Sequence, residues 1–412
     1  MNNRRNILFL SYDGLTDPLG QSQVIPYLSG LAKKGYLITI LSCEKKDRFK
    51  KLSVTIKNIL DTNGITWSPV SYSKKITLFS PLFNLLKMYF AAKVIFRTGS
   101  IQVLHCRSTL PAILGSVLQK KNNSKLLFDM RGFWADERVE GGLWPQSKLI
   151  YRIIYKYISK KENTLINNAD HIISLTAEGK RIIESKTFYT KKQTPVTVIP
   201  CCADFNLFDP GNINPENIIK RKKTLAVNEK SFVIAYLGSI GTWYMLDEML
   251  LFFKSLVKEI PGACFLFITN DNPSEIISAA VKIGIDNSAV RIISAERNEI
   301  PGLLAICNAS IFFIIPTYSK KASSPTKFGE SLAMGIPVIC NIGVGDGDYI
   351  MQNNNAGWVV DGFDTNSFQK VIQQIKAKSS IEKREVRKIG EQYFSLEHGI
   401  EKYDLVYRQL LS

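Results

Sequence analysis

Residues 323–340 constrain the fold of this chain more than any other stretch of the sequence. An apolar run at residues 311–315 precedes them and predicts a buried parallel strand. A helix is expected next, ending at Gly335, because glycine readily takes the left-handed conformation that closes a helix. Pro337 prevents any continuation of that helix, and residues 338–340 predict another short strand. Strand, loop, helix and strand in this order indicate a sheet with parallel strands.

The first turn of this predicted helix is rich in hydrogen-bond donors. Ser323, Ser324 and Thr326 have the hydroxyls that commonly cap a helix, and Lys327 adds a positive charge. Because a helix N-terminus presents free backbone N–H groups and the positive end of its dipole, this turn predicts a site for a phosphate or diphosphate. Glu330 lies about one turn further on, where it can accept hydrogen bonds from a pair of sugar hydroxyls.

The same stretch resembles the donor-site signature of the retaining family 4 glycosyltransferases. The matching motifs are Pro-Thr-Lys-Phe-Gly-Glu at residues 325–330 and Glu-Ser-Leu-Ala-Met-Gly-Ile-Pro-Val at residues 330–338. The common form of the signature contains two Glu residues. Glu330 matches the second, which usually holds the nucleotide ribose, and Ala322 stands in place of the first. A Pro-Ser/Thr-Lys variant occurs in members that build bacterial surface glycans, and this chain resembles that variant.

The resemblance implies an α/β chain with the GT-B fold, which has two facing, Rossmann-like, doubly wound domains and a C-terminal helix that crosses back to the first. A length of 412 residues allows two such domains, each with its own core. We expect an acceptor-binding domain at residues 1–200, a nucleotide-sugar-binding domain at 201–390 and the crossing helix at 391–412. The polar stretch 211–230 is interpreted as the linker between the domains.

A glycine-containing loop follows the first strand of each predicted domain. In the first domain it ends at Gly20, and the sequence alone leaves open whether this loop is anything more than a turn. The resemblance implies that the loop approaches the donor diphosphate. In the second domain the loop at residues 238–242 would face the donor phosphates, and the loop at 293–296 would cradle the base.

Aromatic residues follow the second glycine loop, at positions where the family often carries Arg or Lys. Trp243 and Tyr244 stand there, so Lys327 is expected to provide the counter-charge for the diphosphate. The donor-binding residues implied in this way are Gly20, Gly238, Ser239, Gly241, Thr242, Ser294, Ser324, Thr326, Lys327, Phe328 and Glu330.

Residues 128–137 bring together side chains that commonly carry chemistry, at the end of a predicted strand, where α/β proteins place their sites. Arg131 stands where many family members have a His near the reacting sugar. Because Arg stays protonated at neutral pH, it would bind an anion rather than act as a base. A structural ion network of Arg131 with Asp129 or Asp136 stays open, as does a purely structural role for His105. The catalytic candidates are Lys327, Arg131, His105, Asp13, Asp136 and Glu137.

Positive charge is concentrated in the first half of the chain. Residues 1–200 contain 31 Lys and Arg against 13 Asp and Glu, whereas residues 201–412 contain 22 against 23. A one-sided basic surface indicates an anionic partner, either a membrane leaflet or a phosphate-bearing acceptor. Nucleic acid is not expected, because no recognition motif lies among these lysines.

The most membrane-like stretch is at residues 76–96. It is interrupted by Pro81 and carries Lys87 and Lys93, so it is not interpreted as a membrane span. A helix from Pro81 to about Thr98 is expected to pack on the core, with an interfacial membrane helix as the alternative. Seven scattered Cys residues and the lack of a visible signal peptide indicate a cytoplasmic protein, placed by its charge on the inner face of the cell membrane.

The function predicted from the sequence is metal-independent transfer of a hexose from a nucleotide sugar to a glycan or lipid-linked acceptor, with retention, in bacterial surface polysaccharide synthesis. No cofactor is expected, and Asp346 and Asp348 are interpreted as part of a turn rather than as metal ligands. The covalent and same-face routes both stay open. The alternatives are a nucleotide-sugar epimerase or a phosphorylase of the same fold, and a non-catalytic nucleotide-sugar-binding protein.

Overall fold

The computed structural model describes residues 5–74, 80–186, 193–377 and 381–412. The chain divides into two compact units. One comprises Met1–Pro200 together with Leu396–Ser412, and the other comprises Cys201–Ser395. Each unit is built around its own parallel sheet, in agreement with the alternation of strands and helices in the sequence.

Seven parallel strands form the sheet of the first unit: β1 (Asn6–Ser11), β2 (Leu37–Glu44), β3 (Thr66–Ser71), β4 (Val103–Arg107), β5 (Lys125–Asp129), β6 (His171–Ser174) and β7 (Val196–Val198). Their order is β3-β2-β1-β4-β5-β6-β7. The order changes direction between β1 and β4, and doubly wound sheets bind their ligands at such a point.

The helices of the first unit cover both faces of this sheet. They are α1 (Pro18–Gln23), α2 (Ile25–Lys33), α3 (Lys46–Thr62), α4 (Ser80–Thr98), α5 (Thr109–Asn122), α6 (Trp134–Glu140), α7 (Leu149–Asn168), α8 (Ala177–Glu184) and, from the end of the chain, α17 (Leu396–Leu411). Neighbouring residues of β4 show the two faces. His105 contacts Tyr407 of α17, whereas Cys106 faces Gly115 of α5.

Six parallel strands form the sheet of the second unit, in the order β10-β9-β8-β11-β12-β13. These strands are β8 (Val233–Leu237), β9 (Cys264–Ile268), β10 (Val290–Ile293), β11 (Ala309–Phe312), β12 (Val338–Asn341) and β13 (Gly357–Val360). The helices are α9 (Pro215–Thr224), α10 (Leu246–Glu259), α11 (Pro273–Ile283), α12 (Ile300–Leu304), α13 (Thr326–Ala333), α14 (Gly347–Asn354), α15 (Thr365–Ala377) and α16 (Lys383–Phe394).

The stretch interpreted as a linker is part of the second unit, so that interpretation was wrong. Residues 215–224 form α9, and Ile218 packs against the core beside β8 and β9. Arg221 of α9 lies against Gly302 of α12. The stretch looks like a linker because α9 is strongly polar, and a helix that buries only a narrow apolar stripe has a mostly charged sequence.

Helix α4 is less buried than a core-packing helix would be. Its buried residues are Ser80, Asn84, Met88 and Ala92. Five of its larger apolar side chains are exposed: Leu82, Phe83, Leu86, Phe90 and Val94. Residues 76–79 of the membrane-like stretch lie outside the described residues. Within the described ranges, each helix is too short or too polar to cross a bilayer.

Candidate functional site

Helix α13 begins as the sequence predicts, but without the predicted hydroxyl cap. Pro325 is the N-cap residue, and no side chain of the described residues caps the helix. Ser324 Oγ instead accepts a hydrogen bond from the backbone N–H of Cys201, 3.2 Å away. The hydroxyl of Ser324 therefore helps to hold the start of the second unit. Because Pro325 has no side chain that could cap the helix, the first N–H groups of α13 are suited to bind an anion.

Lys327 lies on the first turn of α13 and is only 6% exposed. Its ammonium lies 3.5 Å from the centre of the Tyr244 ring and 4.0 Å from that of Tyr236. Nζ has no hydrogen-bond partner among the described residues. Burial lowers the pKa of Lys327 well below its ordinary value, although Glu330 and Asp271 favour the charged form. A buried ammonium on aromatic faces, without an acceptor, is chemically suited to bind an anion.

The glycine loop that follows β8 lies directly above this ammonium. A Cβ atom at Gly238 would lie 3.6 Å from Lys327 Nζ, in ordinary van der Waals contact, so this loop adjoins the ammonium. Gly238 also has φ +100°, which disfavours other residues. Asp271 Oδ2 accepts a 2.6 Å hydrogen bond from the N–H of Ile240, and the Tyr236 hydroxyl donates to the carbonyl of Ser239. Asp271 and Tyr236 therefore fix the conformation of this loop through hydrogen bonds to its backbone.

Other residues of the predicted donor site lie at the exposed tips of loops. Ser239, Gly241 and Thr242 are exposed, and Thr242 takes a positive φ of 43° that is strained for a β-branched residue. Ser294 is exposed on the loop after β10 and donates to Asn270 Oδ1. The structure brings Gly238 and Lys327 together, with these residues on the loops around them.

Trp243 and Tyr244, which stand where the resembling family often has Arg or Lys, each contact a lysine side chain. Residues 243–245 pair with the end of β11 through an antiparallel bridge between Tyr244 and Ile314. Lys320 lies 3.7 Å from the centre of the Trp243 ring, in the same way that Lys327 lies on Tyr244. The roles of Tyr236 and Asp271 were not predicted from the sequence. Their positions at strand ends beside the glycine loop were the available signal.

Glu330 is 4% exposed, and Arg297 Nη1 donates to its Oε1 at 2.8 Å. The guanidinium of Arg297 also lies 5.4 Å from the centre of the Phe208 ring. Arg297 was not predicted from the sequence, and it directly follows the loop 293–296 that was expected to cradle the base. Only the Oε1 atom of Glu330 has this partner, so Oε2 can accept a hydrogen bond from a ligand hydroxyl.

Phe328 is a core residue rather than a ligand contact, which corrects its assignment to the donor site. It is 2% exposed, with ring centres 5.6 Å from Phe312 and 5.0 Å from Phe394. Phe394 belongs to α16, which packs tightly against α13 where Gly390 faces Leu332. Helix α16 therefore fixes the position of the helix that carries Lys327 and Glu330.

Gly20 of the first unit is likewise a packing residue. It lies inside α1, and a side chain there would collide with the carbonyl of Gly14 and the backbone of Leu15. The loop before it is held by Glu44, a buried carboxylate that the sequence analysis missed. Glu44 accepts hydrogen bonds from the N–H of Leu15 at 2.7 Å and from the Thr16 hydroxyl at 2.6 Å. Asp13, in the same loop, is exposed.

His105 and Arg131 belong to one buried network around Asp129. Asp129 lies 3.5 Å from His105 Nε2 and 3.5 Å from Arg131 Nη1, and it accepts a 3.1 Å hydrogen bond from the hydroxyl of Tyr403 on α17. Although burial raises the pKa of Asp129, the cationic neighbours Arg131 and Arg107 hold it below its ordinary value. Burial lowers the pKa of His105, which is 2% exposed. The structural alternative fits His105, because its ring is buried against Tyr407 and Asp129.

Asp136 lies in a different cluster, at the start of α6. It accepts a 2.8 Å hydrogen bond from the Tyr155 hydroxyl, and burial raises its pKa. Glu162 lies beside it and accepts hydrogen bonds from Thr109 Oγ1 at 2.7 Å and from the N–H of Ala135 at 3.4 Å. Burial raises the pKa of Glu162 to about 7. Glu137 is half-buried on the same turn as Asp136, so the first unit contains two separate clusters of candidates.

The acidic pair Asp346 and Asp348 forms part of a turn and helix start. Asp346 is the N-cap residue of α14, and Asp348 Oδ2 accepts a 3.0 Å hydrogen bond from the N–H of Gly343. Within the described part of the chain, no three His, Cys, Asp or Glu side chains are grouped so as to hold a metal ion.

Comparisons with known proteins found one family model and several solved structures that are similar to this chain. Residues 217–392 match the family model "Glycosyl transferases group 1", which covers the second unit nearly completely. Among curated proteins, no match was found.

Solved structures match over the whole chain. A glycosyltransferase from Rickettsia africae is 16% identical, with a TM-score of 0.72 over 100% of this chain and 99% of its own. HepE of Anabaena in complex with UDP and glucose is 14% identical, with a TM-score of 0.72 over 98% of this chain and 100% of its own. WaaG, a glycosyltransferase involved in lipopolysaccharide biosynthesis, is 13% identical, with a TM-score of 0.62 over 96% of this chain and 99% of its own. The chain is therefore similar to these glycosyltransferases in fold: it is an α/β protein with two Rossmann-like halves, as in GT-B structures.

Proposed function

We propose that this protein is a glycosyltransferase that takes its sugar from a nucleotide-sugar donor bound by the second unit. The observation that carries the proposal is the buried ammonium of Lys327. It is held on two tyrosine rings below the Gly238 loop and has no acceptor among the described residues. A diphosphate supplies the negative charge and the acceptor oxygens that this ammonium lacks. The family match of residues 217–392 and the UDP complex of HepE support this assignment.

The residues around Lys327 have distinct proposed roles. The ammonium and the uncapped N-terminus of α13 stabilise the diphosphate as it leaves with its growing negative charge. Glu330 accepts hydrogen bonds from the ribose hydroxyls through the oxygen that Arg297 leaves available. The loop that contains Ser294 and Arg297 receives the base.

The finer features of the reaction are proposed from the sequence. The donor sugar is a hexose, the anomeric configuration is retained, and no metal takes part, because the helix dipole and Lys327 offset the charge of the diphosphate. The first unit binds the acceptor, which is a glycan or a lipid-linked glycan of a bacterial surface polysaccharide. The excess of basic residues in the first half favours an acceptor at the cytoplasmic face of the membrane.

A transfer assay with a panel of nucleotide sugars tests this function. We expect one donor to raise the unfolding temperature and to be consumed in the presence of a lipid-linked acceptor. Lys327→Met should abolish consumption, whereas Lys282→Met, at an exposed lysine of α11 in the same unit, should leave it unchanged. Equal turnover by Lys327→Met and the wild-type protein would contradict the proposal.

One observation favours a second candidate, a nucleotide-sugar-binding protein without catalysis. Ala322, which replaces the first Glu of the resembling signature, is buried in a short 3-10 helix and offers no group to a sugar. Binding of a nucleotide sugar that is neither transferred, epimerised nor hydrolysed would establish this alternative.

A further inference from the structure

Helix α4 presents a largely apolar face outward. Leu82, Phe83, Phe90 and Val94 are each more than half exposed. They lie within one side of the helix, opposite the buried Met88, because residues three, four and seven positions apart share a helical face. An aromatic and aliphatic stripe of this length gains nothing for folding when it faces water, so it indicates a surface that another phase or partner covers.

Helix α7 repeats this arrangement. Leu149 is 68% exposed, Ile153 55% and Tyr157 58%, again on one side of the helix. Helix α5 packs against both α4 and α7 and adds the exposed Val117 between them. The three helices cover the same side of the first sheet, because the connections from β3 to β4, from β4 to β5 and from β5 to β6 run in one direction along the sheet, and such crossovers are right-handed. Cys106 faces α5 on this side, whereas its neighbour His105 faces α17 on the other. Their outward sides therefore form one face, which we call the α4-α5-α7 face.

The charge on these helices has a single sign. Together α4, α5 and α7 contain nine Lys and Arg residues and one acidic residue, Glu162, which is buried. The cations lie among the apolar side chains. Lys87 Nζ lies 5.0 Å from the centre of the Phe83 ring, and Lys161 Nζ lies 5.4 Å from that of Tyr157.

We propose that the α4-α5-α7 face docks on an anionic lipid leaflet, with its apolar side chains inserted at the level of the headgroups and its lysines and arginines on lipid phosphates. Helices that lie in a membrane interface combine Phe and Leu with Lys and Arg in this manner. A protein partner fits less well, because the centres of protein interfaces are depleted in lysine. The inference rests on the proposed function, which it deepens by naming the surface that brings the enzyme to a lipid-linked acceptor.

Co-sedimentation of the full chain with vesicles tests this docking. The vesicles are phosphatidylcholine alone or phosphatidylcholine mixed with phosphatidylglycerol, and we expect binding to the mixture. The double variant Phe83→Ser/Phe90→Ser should bind at least about tenfold more weakly, because two large apolar side chains no longer enter the lipid. Lys93→Gln should bind about fivefold more weakly to the anionic vesicles. Val54→Ser, at a 72% exposed position on α3, is the matched control and should bind like the wild-type protein.

Three results would overturn the inference. They are absence of binding to the anionic vesicles at low salt, equal binding by Phe83→Ser/Phe90→Ser, and a fall in oligomeric state caused by that variant in light scattering without lipid. The last result would assign the face to a second copy of the chain. Nucleotide-sugar binding is measured on the same samples. If it persists when vesicle binding fails, only the docking surface is refuted; if it is absent while vesicles still bind, only the proposed donor site is refuted.

Discussion

The ammonium of Lys327 lies 3.5 Å from the centre of the Tyr244 ring, and no oxygen of the described residues accepts a hydrogen bond from it. The two tyrosine rings replace part of the hydration that the cation has lost, but burial still lowers its pKa well below the ordinary value. A diphosphate would restore both the negative charge and the acceptors. Under the proposed function, we expect this ammonium to be fully stabilised only when an anion is bound.

Replacement of Lys327 by methionine should stabilise the ligand-free protein while it abolishes transfer. Methionine has a similar length and no charge to desolvate, so we expect the free energy of unfolding to rise by about 1 kcal/mol. Urea denaturation of the variant and the wild-type protein measures this difference. A large loss of stability would show that Lys327 is structural.

The stability of the wild-type protein and that of Lys327→Met should depend differently on pH. The folded-state pKa of Lys327 is lowered, so the unfolded chain binds more protons between that pKa and 10.5. The stability of the wild-type protein relative to Lys327→Met should therefore rise with pH in this range. Denaturation at several pH values gives the slope of the difference, and a slope of zero or of opposite sign would contradict a buried, destabilised ammonium.

Arg297 should stabilise the fold through Glu330. Glu330 is 4% exposed, and Arg297→Ala removes its 2.8 Å donor. We expect the free energy of unfolding to fall by about 1–2 kcal/mol, because the buried carboxylate is left without its charged partner. The double variant Arg297→Ala/Glu330→Gln should recover most of that loss, since a neutral amide is easier to bury. Thermal unfolding of the three variants tests this coupling, and simple additivity of the two substitutions would refute it.

The contact between α16 and α13 should be sensitive to a single methyl group. A Cβ atom at Gly390 would lie 2.7 Å from Leu332 Cβ, which is too close. Gly390→Ala should lower the free energy of unfolding by about 1–2 kcal/mol and weaken nucleotide binding, because α13 has to shift. Gly99→Ala is the control, since a side chain there meets open space. Unfolding and binding measurements on both variants check this prediction, and near-neutral behaviour of Gly390→Ala would contradict it.

Glu162 should make the stability of the first unit decrease with rising pH. Its folded-state pKa is raised by burial to about 7 from an ordinary value of 4.5, so the folded state binds more protons between these two values. The stabilisation that proton binding by Glu162 contributes is complete below pH 4.5 and is lost as the pH rises through 7. Above that pH, Glu162→Gln should be more stable than the wild-type protein by about 3 kcal/mol, because the amide still accepts a hydrogen bond from Thr109 without a charge to bury. Identical pH profiles of the two proteins would contradict this.

Local patterns in the sequence predicted the elements of the fold well. Residues 323–340 encode the helix and strand around Lys327, since glycine and proline stop the helix at defined positions. The last helix, Leu396–Leu411, lies within the range 391–412 that was given for the crossing helix. The two parallel sheets also agree with the alternation of apolar runs and amphipathic helices.

Contacts between distant residues were not predictable in the same way. Arg297 meets Glu330 and Glu44 meets Leu15 only because the fold brings separate loops together. Likewise, Phe328 and Gly20 lie within motifs that carry the resemblance, but their surroundings make them packing residues. A motif gives the order of residue types along the chain, whereas burial depends on elements that pack against it from elsewhere.

A crystal structure of the protein with a bound nucleoside diphosphate tests the central claim most directly. We expect an oxygen of the diphosphate within hydrogen-bond distance of Lys327 Nζ, beside the N-terminus of α13 and the Gly238 loop, with the ribose hydroxyls on Glu330. A diphosphate bound elsewhere, with Lys327 still against Tyr244 and without an acceptor, would contradict the account.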